Sequence, residues 1–454
     1  MTSIPPALLD RLLRSGQDHF IPLLEALTGD ERHRFTAQLE AIHWDELADL
    51  FAGRTAPAVD ALGELEPMPV SEADEQFRAI GEAALKAGEV AALVVAGGQG
   101  TRLGFDKPKG LFPVGPISGS SLFQIHAEKV LALSRRSGVA IPLLVMTSEA
   151  THADTVEFFA LKANFGLSSG QVHFFKQGTM PALDLETGRA LLEGPGELVL
   201  SPNGHGGSLT ALADSGLLAR LKAAGIRHLF YFQIDNALVK VGDPVFLGQH
   251  IAAGSEASSK VVFKERPEEK VGLLVRRVGR CGIVEYSDLP KEAMFARTAD
   301  GTLAYRAGNP AIHLFAVDFL ERVTSGPNRL AYHLARKKVP YYDPVRGVRV
   351  QPEAENALKF ELFIFDALPL AERTLAVATP REDEFAPLKN ASGVDSLATV
   401  HELILNRNRR WLEAAGATVD VNARIEISPL VALEARDLMG RFDGRHFAGD
   451  TLLS

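Results

Sequence analysis

One turn constrains this chain more than any other feature. The apolar run Ala91–Ala96 passes directly into Gly97-Gly98-Gln99-Gly100-Thr101-Arg102-Leu103-Gly104, followed by Asp106-Lys107-Pro108-Lys109-Gly110. A short apolar run closed by glycines reads as a strand buried on both faces. The glycines let the backbone turn sharply and aim its N–H groups at an anion. Arg102 and Lys109 can then bring positive charge to phosphate oxygens. Two familiar loops fail on spacing. A P-loop needs Lys directly after its last Gly, and Gly104 is followed by Phe105; the dinucleotide fingerprint started at Gly98 needs Gly where the chain has Leu103. The plainer alternative is a Gly-rich strand-to-helix turn with solvated cations.

More strands of this kind follow: Leu143–Thr147, Val172–Phe175, Leu198–Leu200, His228–Ile234 and Lys260–Phe263, with helices expected at Leu122–Leu133 and Leu209–Ala223. Strands that alternate with helices predict an α/β domain around a central, mostly parallel sheet. Ligands of such sheets bind outside the carboxyl ends of the strands. Before Ala91 the apolar spacing is helical (Leu8, Leu9, Leu12, Leu13; Phe35, Leu39, Ile42, Leu47), then comes the connection Gly63–Pro69 and a helix from Ala73 to Lys86. Beyond about residue 370 the pattern is mixed, with a helix at Leu397–Ala415. The expected division is therefore 1–88 as an N-terminal helical region, 89–370 as the central α/β domain, and 371–454 as a small C-terminal α/β domain. The charge run Glu265–Lys270 reads as a solvated turn.

Charge and cysteine content narrow the partners. The formal net charge of -9 argues against nucleic acid or an anionic membrane as partner. A small polyanion needs only a local group of cations and stays open. One cysteine, Cys281, allows neither an internal disulfide nor a cysteine zinc site. The start, Met1 to Arg11, lacks the pattern of a signal peptide, and no apolar stretch reaches membrane-spanning length. A cytoplasmic protein is expected.

With its Lys-Pro-Lys sequel, the loop resembles the signature of the UDP-sugar pyrophosphorylases, in particular the eukaryotic-type UDP-N-acetylhexosamine pyrophosphorylases. Further segments match in order. Phe174-Phe175-Lys176-Gln177-Gly178 carries an amide suited to the donor and acceptor of a uracil edge. Ser201-Pro202-Asn203-Gly204-His205-Gly206-Gly207 is a second Gly-rich turn. The run His228–Ile234 ends at Asp235, where a carboxylate can hold Mg²⁺ against phosphate oxygens or simply cap a helix. Val271-Gly272, Val284-Glu285-Tyr286, Ala307-Gly308-Asn309, Phe363-Ile364-Phe365 and Arg381 to Asn390 complete the set.

The resemblance implies a Rossmann-like, GT-A-like nucleotidyltransferase sheet and a UTP:sugar-1-phosphate uridylyltransferase that uses Mg²⁺. Its roles fall here on Arg102, Lys109, Asp235 and Lys389 as catalytic residues, with Asp235 at the metal. UTP would lie on Val95, Ala96, Gly97, Gly98, Lys109, Gln177, Gly204 and Lys359. The sugar would meet His205, Gly272, Glu285, Tyr286, Asn309, Phe363 and Phe365. Residue 205 departs from the pattern: the N-acetylhexosamine enzymes typically carry Asn, and Gly-His-Gly looks more like the UDP-glucose and broad-specificity enzymes. The segments around Asn309, Phe363 and Lys389 favour N-acetylglucosamine 1-phosphate. UDP-glucose or broad UDP-sugar synthesis is the alternative. A glycosyltransferase would be expected to carry Asp-x-Asp, which does not occur, and a UDP-sugar sensor would be expected to lack Arg102, Lys109 and Lys389.

Overall fold

The computed structural model describes residues 4–53, 64–325 and 330–454. The first three residues of the start read for a signal peptide, and Gly63 of the expected connection, lie outside these. The chain forms two compact units. The smaller comprises Met1–Gly63, Gly178–Gly207 and Leu330–Ile364; the larger comprises Glu64–Gln177, Ser208–Arg329 and Phe365–Ser454.

In the smaller unit four helices, α1 (Pro6–Arg14), α2 (Phe20–Ala26), α3 (Gly29–Glu40) and α4 (Trp44–Ala52), follow the apolar spacing of the sequence. Their buried faces (Leu8, Leu12, Phe20, Phe35, Leu39, Trp44, Leu47) share one core with Leu183, Leu192, Leu198, Leu358 and Phe360. The expected strand Leu198–Leu200 divides here. Glu197–Leu198 pairs with Leu192–Gly194, and Leu200–Pro202 pairs with Thr179–Pro181. It belongs to these short ladders rather than to the central sheet. An apolar triplet carries no signal that distinguishes the two.

The larger unit is built on an eleven-stranded sheet. Its parallel part consists of β1 (Val90–Val95), β2 (Leu143–Thr147), β3 (Val172–Lys176) and β4 (His228–Gln233), in the order β4-β1-β2-β3. Every residue of β1 and β2 is buried, as expected of strands covered on both faces. Beyond β4 the sheet becomes mixed. β5 (Ala257–Phe263), β6 (Leu273–Arg277), β7 (Ala307–Gly308), β8 (His313–Ala316) and β9 (Thr374–Ala378) follow, with β8 antiparallel to both β4 and β5, and β9 parallel to β5. Two reversals restore the direction, so β5 and β9 end on the same edge as β1 and β4. The expected helix Leu209–Ala223 is two helices, Gly207–Asp214 and Leu217–Ala223, parted at Gly216, whose φ of 73° is left-handed. The chain ends in a small piece where the helix Leu397–Ala414 packs Trp411 and Leu412 on Ile425, Leu438 and Phe442.

Candidate active site

In the larger unit, the glycine-rich loop after β1 is folded back on itself by its own backbone. Lys109 N donates to Gly98 O (3.0 Å), Gly100 N to Lys107 O (2.9 Å) and Phe105 N to Gly100 O (3.2 Å). Val95 and Ala96 lie buried at the end of β1. A side chain on Gly97 would come within 3.1 Å of Gln177 Oε1, and one on Gly98 would meet nothing. Gln177 is placed by its own N–H, which donates to Thr147 O (2.7 Å). The loop backbone and the Gln177 amide therefore lie against each other. Arg102 is exposed at the rim.

Gly110 has a local reason to be glycine: a Cβ there would sit 2.1 Å from the buried ring of Phe123. Gly110→Ala is expected to cost about 1–3 kcal/mol, the range for overpacking a tight core. Urea unfolding reads this directly, and an unchanged midpoint would mean that the ring yields without strain.

Lys109 reaches Asp235. Its Nζ lies 3.5 Å from Asp235 Oδ2, and both side chains are about one-fifth exposed (20% and 18%). Asp235 follows β4, where Ile234 N donates to Val95 O (3.1 Å) and Ile234 O is held by His126 Nε2 (3.1 Å). His126 is thus a buried packing residue.

The next residue, Asn236, forms a clasp that sequence reading did not assign. Its amide donates to Glu384 O (2.7 Å), and its Oδ1 accepts from Ala386 N (2.9 Å). Leu388 N then donates to Asp235 O (2.9 Å), so the segment carrying Lys389 runs antiparallel beside the one carrying Asp235. Beyond it the chain folds back: Lys389 N and Asn390 N both donate to Asp395 O (2.7 and 3.0 Å), and Asp395 has a left-handed φ of 57°. Burial pushes the Asp395 carboxyl up, Lys389 opposes this, and the charge of Asp235 adds to it.

Below the clasp is a buried charge cluster. Lys260 Nζ lies 2.5 and 2.7 Å from the Glu384 oxygens and 2.6 Å from Asp243 Oδ2, while Thr379 Oγ1 donates to Glu384 (2.6 Å). Lys260 and Glu384 are 2% and 1% exposed. Burial alone would neutralise Lys260, but Asp243 and Glu384 outweigh it and hold its ammonium above its ordinary range. A lysine inside the apolar run of β5 was the one sequence signal for this cluster. Of the charge run after it, Glu269 leaves solvent to pair with Arg381, and Glu265, Arg266, Glu268 and Lys270 stay exposed.

Three of the sugar-pocket candidates also meet in this unit. Asn309 N donates to Gly272 O (2.9 Å), and a Cβ on Gly272 would lie 3.5 Å from Glu285 Oε1. The Asn309 amide is fixed by accepting from Ala311 N (2.9 Å). Burial raises the Glu285 carboxyl, Asp288 adds to the rise, and Lys389 opposes it. Tyr286 is exposed, and Phe365 is half-buried in the turn Ile364–Leu370.

The smaller unit gathers the remaining candidates. Gly204 has φ 83°, and a Cβ there would lie 2.4 Å from Leu362 O. Only glycine allows this approach. His205 Nδ1 accepts from Ile364 N (3.2 Å), and its ring lies 5.6 Å from that of Phe363. An accepting Nδ1 leaves the proton on Nε2, so His205 presents an N–H donor at its far edge. Lys359 sits half-buried in the strand Ala357–Glu361, opposite Ala335.

Among the described residues no group of three or more His, Cys, Asp or Glu could hold a metal ion. Asp235 alone suits an ion whose other ligands are phosphate oxygens and water, the usual habit of Mg²⁺.

Residues 35–440 match the family described as UTP–glucose-1-phosphate uridylyltransferase. The chain is 37% identical to the UDP-N-acetylglucosamine pyrophosphorylase of Saccharomyces cerevisiae over 402 residues, covering 85% of this chain and 84% of that protein. It is 35% identical to UDP-N-acetylglucosamine diphosphorylase 2 of Arabidopsis thaliana, covering 97% and 92%. The crystal structure of the Trypanosoma brucei UDP-N-acetylglucosamine pyrophosphorylase in complex with an inhibitor superposes with a TM-score of 0.80 at 31% identity, covering 96% of this chain and 94% of that one. The chain belongs to the UTP–glucose-1-phosphate uridylyltransferase family.

Proposed function

We propose that this chain transfers the uridylyl group of UTP to N-acetylglucosamine 1-phosphate, making UDP-N-acetylglucosamine and pyrophosphate. The observation that carries the reading is the backbone clasp that sets Lys389 beside Asp235, with Lys109 reaching Asp235 from the phosphate loop. The relatives named for N-acetylglucosamine, alike over most of the chain, support the choice of sugar.

The sugar 1-phosphate carries close to two negative charges at neutral pH and is itself the nucleophile. One of its oxygens attacks the α-phosphorus of UTP; the bond to the β-phosphate oxygen breaks, and pyrophosphate leaves with that electron pair. No proton need be removed, so the protein's work is alignment and charge screening. Gly97, Gly98 and Lys109 would cradle the triphosphate, Arg102 would close on it from the rim, and Lys389 would stand between donor and acceptor. Asp235 would hold Mg²⁺, which supplies charge neutralisation of the triphosphate. Gln177 and Gly204 would read the base, with Lys359 on UTP. Gly272, Glu285 and Asn309, with Tyr286, Phe363 and Phe365, would receive the sugar. In this reading catalysis belongs to 89–370 plus Lys389 from 371–454, on a Rossmann-like, GT-A-like sheet. A reducing, cytoplasmic location goes with it: Cys281 is free and buried, and burial pushes its thiol up to about 12. No helix of the described residues is long and apolar enough to cross a membrane.

His205 supports a second reading, glucose 1-phosphate or a broad range of sugars, because its Nε2–H can donate to a hydroxyl as readily as an asparagine amide donates to an acetamido group. Pyrophosphate release from UTP and Mg²⁺ separates the two. N-Acetylglucosamine 1-phosphate is expected to exceed glucose 1-phosphate in kcat/KM by about 10–100-fold, the discrimination available from one extra group in a fitted pocket. The reverse order would overturn the choice of sugar, and no release with any sugar phosphate would overturn the reaction.

A further inference from the structure

Two cations of the larger unit, the buried Lys129 and the part-buried Arg407, have no carboxylate of their own. Lys129, on the helix Leu122–Ser137, is 6% exposed, and its Nζ donates only to the carbonyls of Ala237 (2.6 Å) and Val239 (2.9 Å). The guanidinium of Arg407 stacks on Trp411 (4.5 Å to the ring centre), and its polar contact is the neighbouring Asn408 Oδ1 at 3.2–3.4 Å. Neither forms an ion pair with a described carboxylate. Burial, and for Lys129 then the charge of Arg407, disfavours both charges; Arg407 is lowered to about 10. A charge held away from water without a counter-ion is disfavoured unless something compensates it.

Both side chains border a cavity of about 130 Å³ that holds Glu128 and Glu426, and both line a second of about 40 Å³, walled on the apolar side by Leu133, Val241, Trp411 and Leu433. A water needs roughly 10–15 Å³ of such space, so there is room for about three, the footprint of a tetrahedral oxyanion. The cavity's carboxylates are already committed. Asp243 holds Lys260 at 2.6 Å, and Glu434 is shared by Arg78 (2.9 Å) and Arg136 (3.1 Å). A third cation on the wall, Lys240, comes only within 3.8 Å of Glu384. What remains is a pair of cationic side chains, Lys129 and Arg407, whose charge an anion would restore, beside a space of suitable size.

We infer that this cavity binds a phosphoryl-type oxyanion, held by Arg407 and Lys129, apart from the site that takes UTP. It goes beyond the transferase reading and does not depend on it. The carbonyls that Lys129 now holds lie two and four residues after Asp235, so an anion that draws the ammonium acts directly on that segment.

The test is thermal unfolding of the full chain in inorganic phosphate against chloride at matched pH and ionic strength, with saturating UTP present to fill the phosphate loop. A saturable rise of about 2–4 °C is expected, lost in Arg407→Gln and retained in Lys109→Ala. No rise in the wild type, or the same rise in Arg407→Gln, would overturn the site. Should Arg407→Gln not fold, Trp411 gives an independent reading. In a Trp44→Phe chain the remaining indole should change emission saturably with phosphate, and a flat titration would sink the proposal. Glycerol phosphate serves as a second arm: a response to it names a phosphate monoester as the occupant, and a response to inorganic phosphate alone names the free ion.

Discussion

Lys389→Ala is expected to lower kcat by roughly 10²–10³-fold, the usual loss when one preorganised charge facing a transition state is removed, while the KM for UTP moves only a few-fold. The split follows from where Lys389 sits. Its backbone is fixed by Asp395 O and by the adjoining bond from Leu388 N to Asp235 O, and its exposed side chain makes no contact that holds the fold together. Truncation therefore leaves the clasp intact and removes charge only. Lys109 and the glycine backbone, which would receive the triphosphate, are untouched, so ground-state binding of UTP survives. Lys389→Arg should recover part of the rate, since the charge returns in a different shape. Steady-state kinetics with both substrates varied would decide, and a Lys389→Ala enzyme turning over at the wild-type rate would remove Lys389 from the mechanism.

Lys260→Met is expected to cost about 3–5 kcal/mol, because it leaves Glu384 and Asp243 buried without their cation. The effect should exceed that of Glu384→Gln, whose amide keeps the volume and can still accept from Thr379 and Lys260. Urea unfolding of the two variants beside the wild type gives the comparison, and a Lys260→Met midpoint equal to the wild type would show that the cluster contributes nothing. Acid provides a second check with a defined sign. Burial pushes the Asp243 carboxyl up, but the Lys260 charge outweighs it and brings the group down to about 2. A depressed carboxyl stabilises the fold above its unfolded value of about 4, and that contribution fades as the pH falls from about 4 toward 2. Between pH 5 and 9 this bond should make no difference to the pH profile.

The parallel strands and the glycine-rich turn after β1 were legible in the sequence because their signals are local. A buried strand is an apolar run, and a tight turn is a set of glycines. Of the site, Lys109 and Asp235 were found as a loop cation and a strand-end carboxylate, and the structure puts them 3.5 Å apart. Local pattern misled where two elements touch end to end: Leu209–Ala223 looks continuous, but Gly216 takes a left-handed turn that apolar spacing cannot register. The Asn236 clasp and the Asp395 turn were not legible at all. Asn236 bonds a partner 148 residues away, and nothing in its neighbours announces which backbone it will meet. His205 was visible as a departure from the resemblance, but its proton location needed the Ile364 N–H.

The smaller unit is assembled from three stretches of chain, and its shared core joins Leu8 through Leu47 to Leu358 and Phe360. During synthesis the four leading helices therefore emerge with their apolar faces finished but their partners not yet made. At about 5–20 residues per second, the interval between residue 47 and residue 360 is on the order of 15–60 s. For that time a row of leucines and aromatics stands open at the ribosome exit, available to a holdase or to a neighbouring nascent chain. Yield in the cell should depend on how that interval is guarded more than on the stability of the finished enzyme.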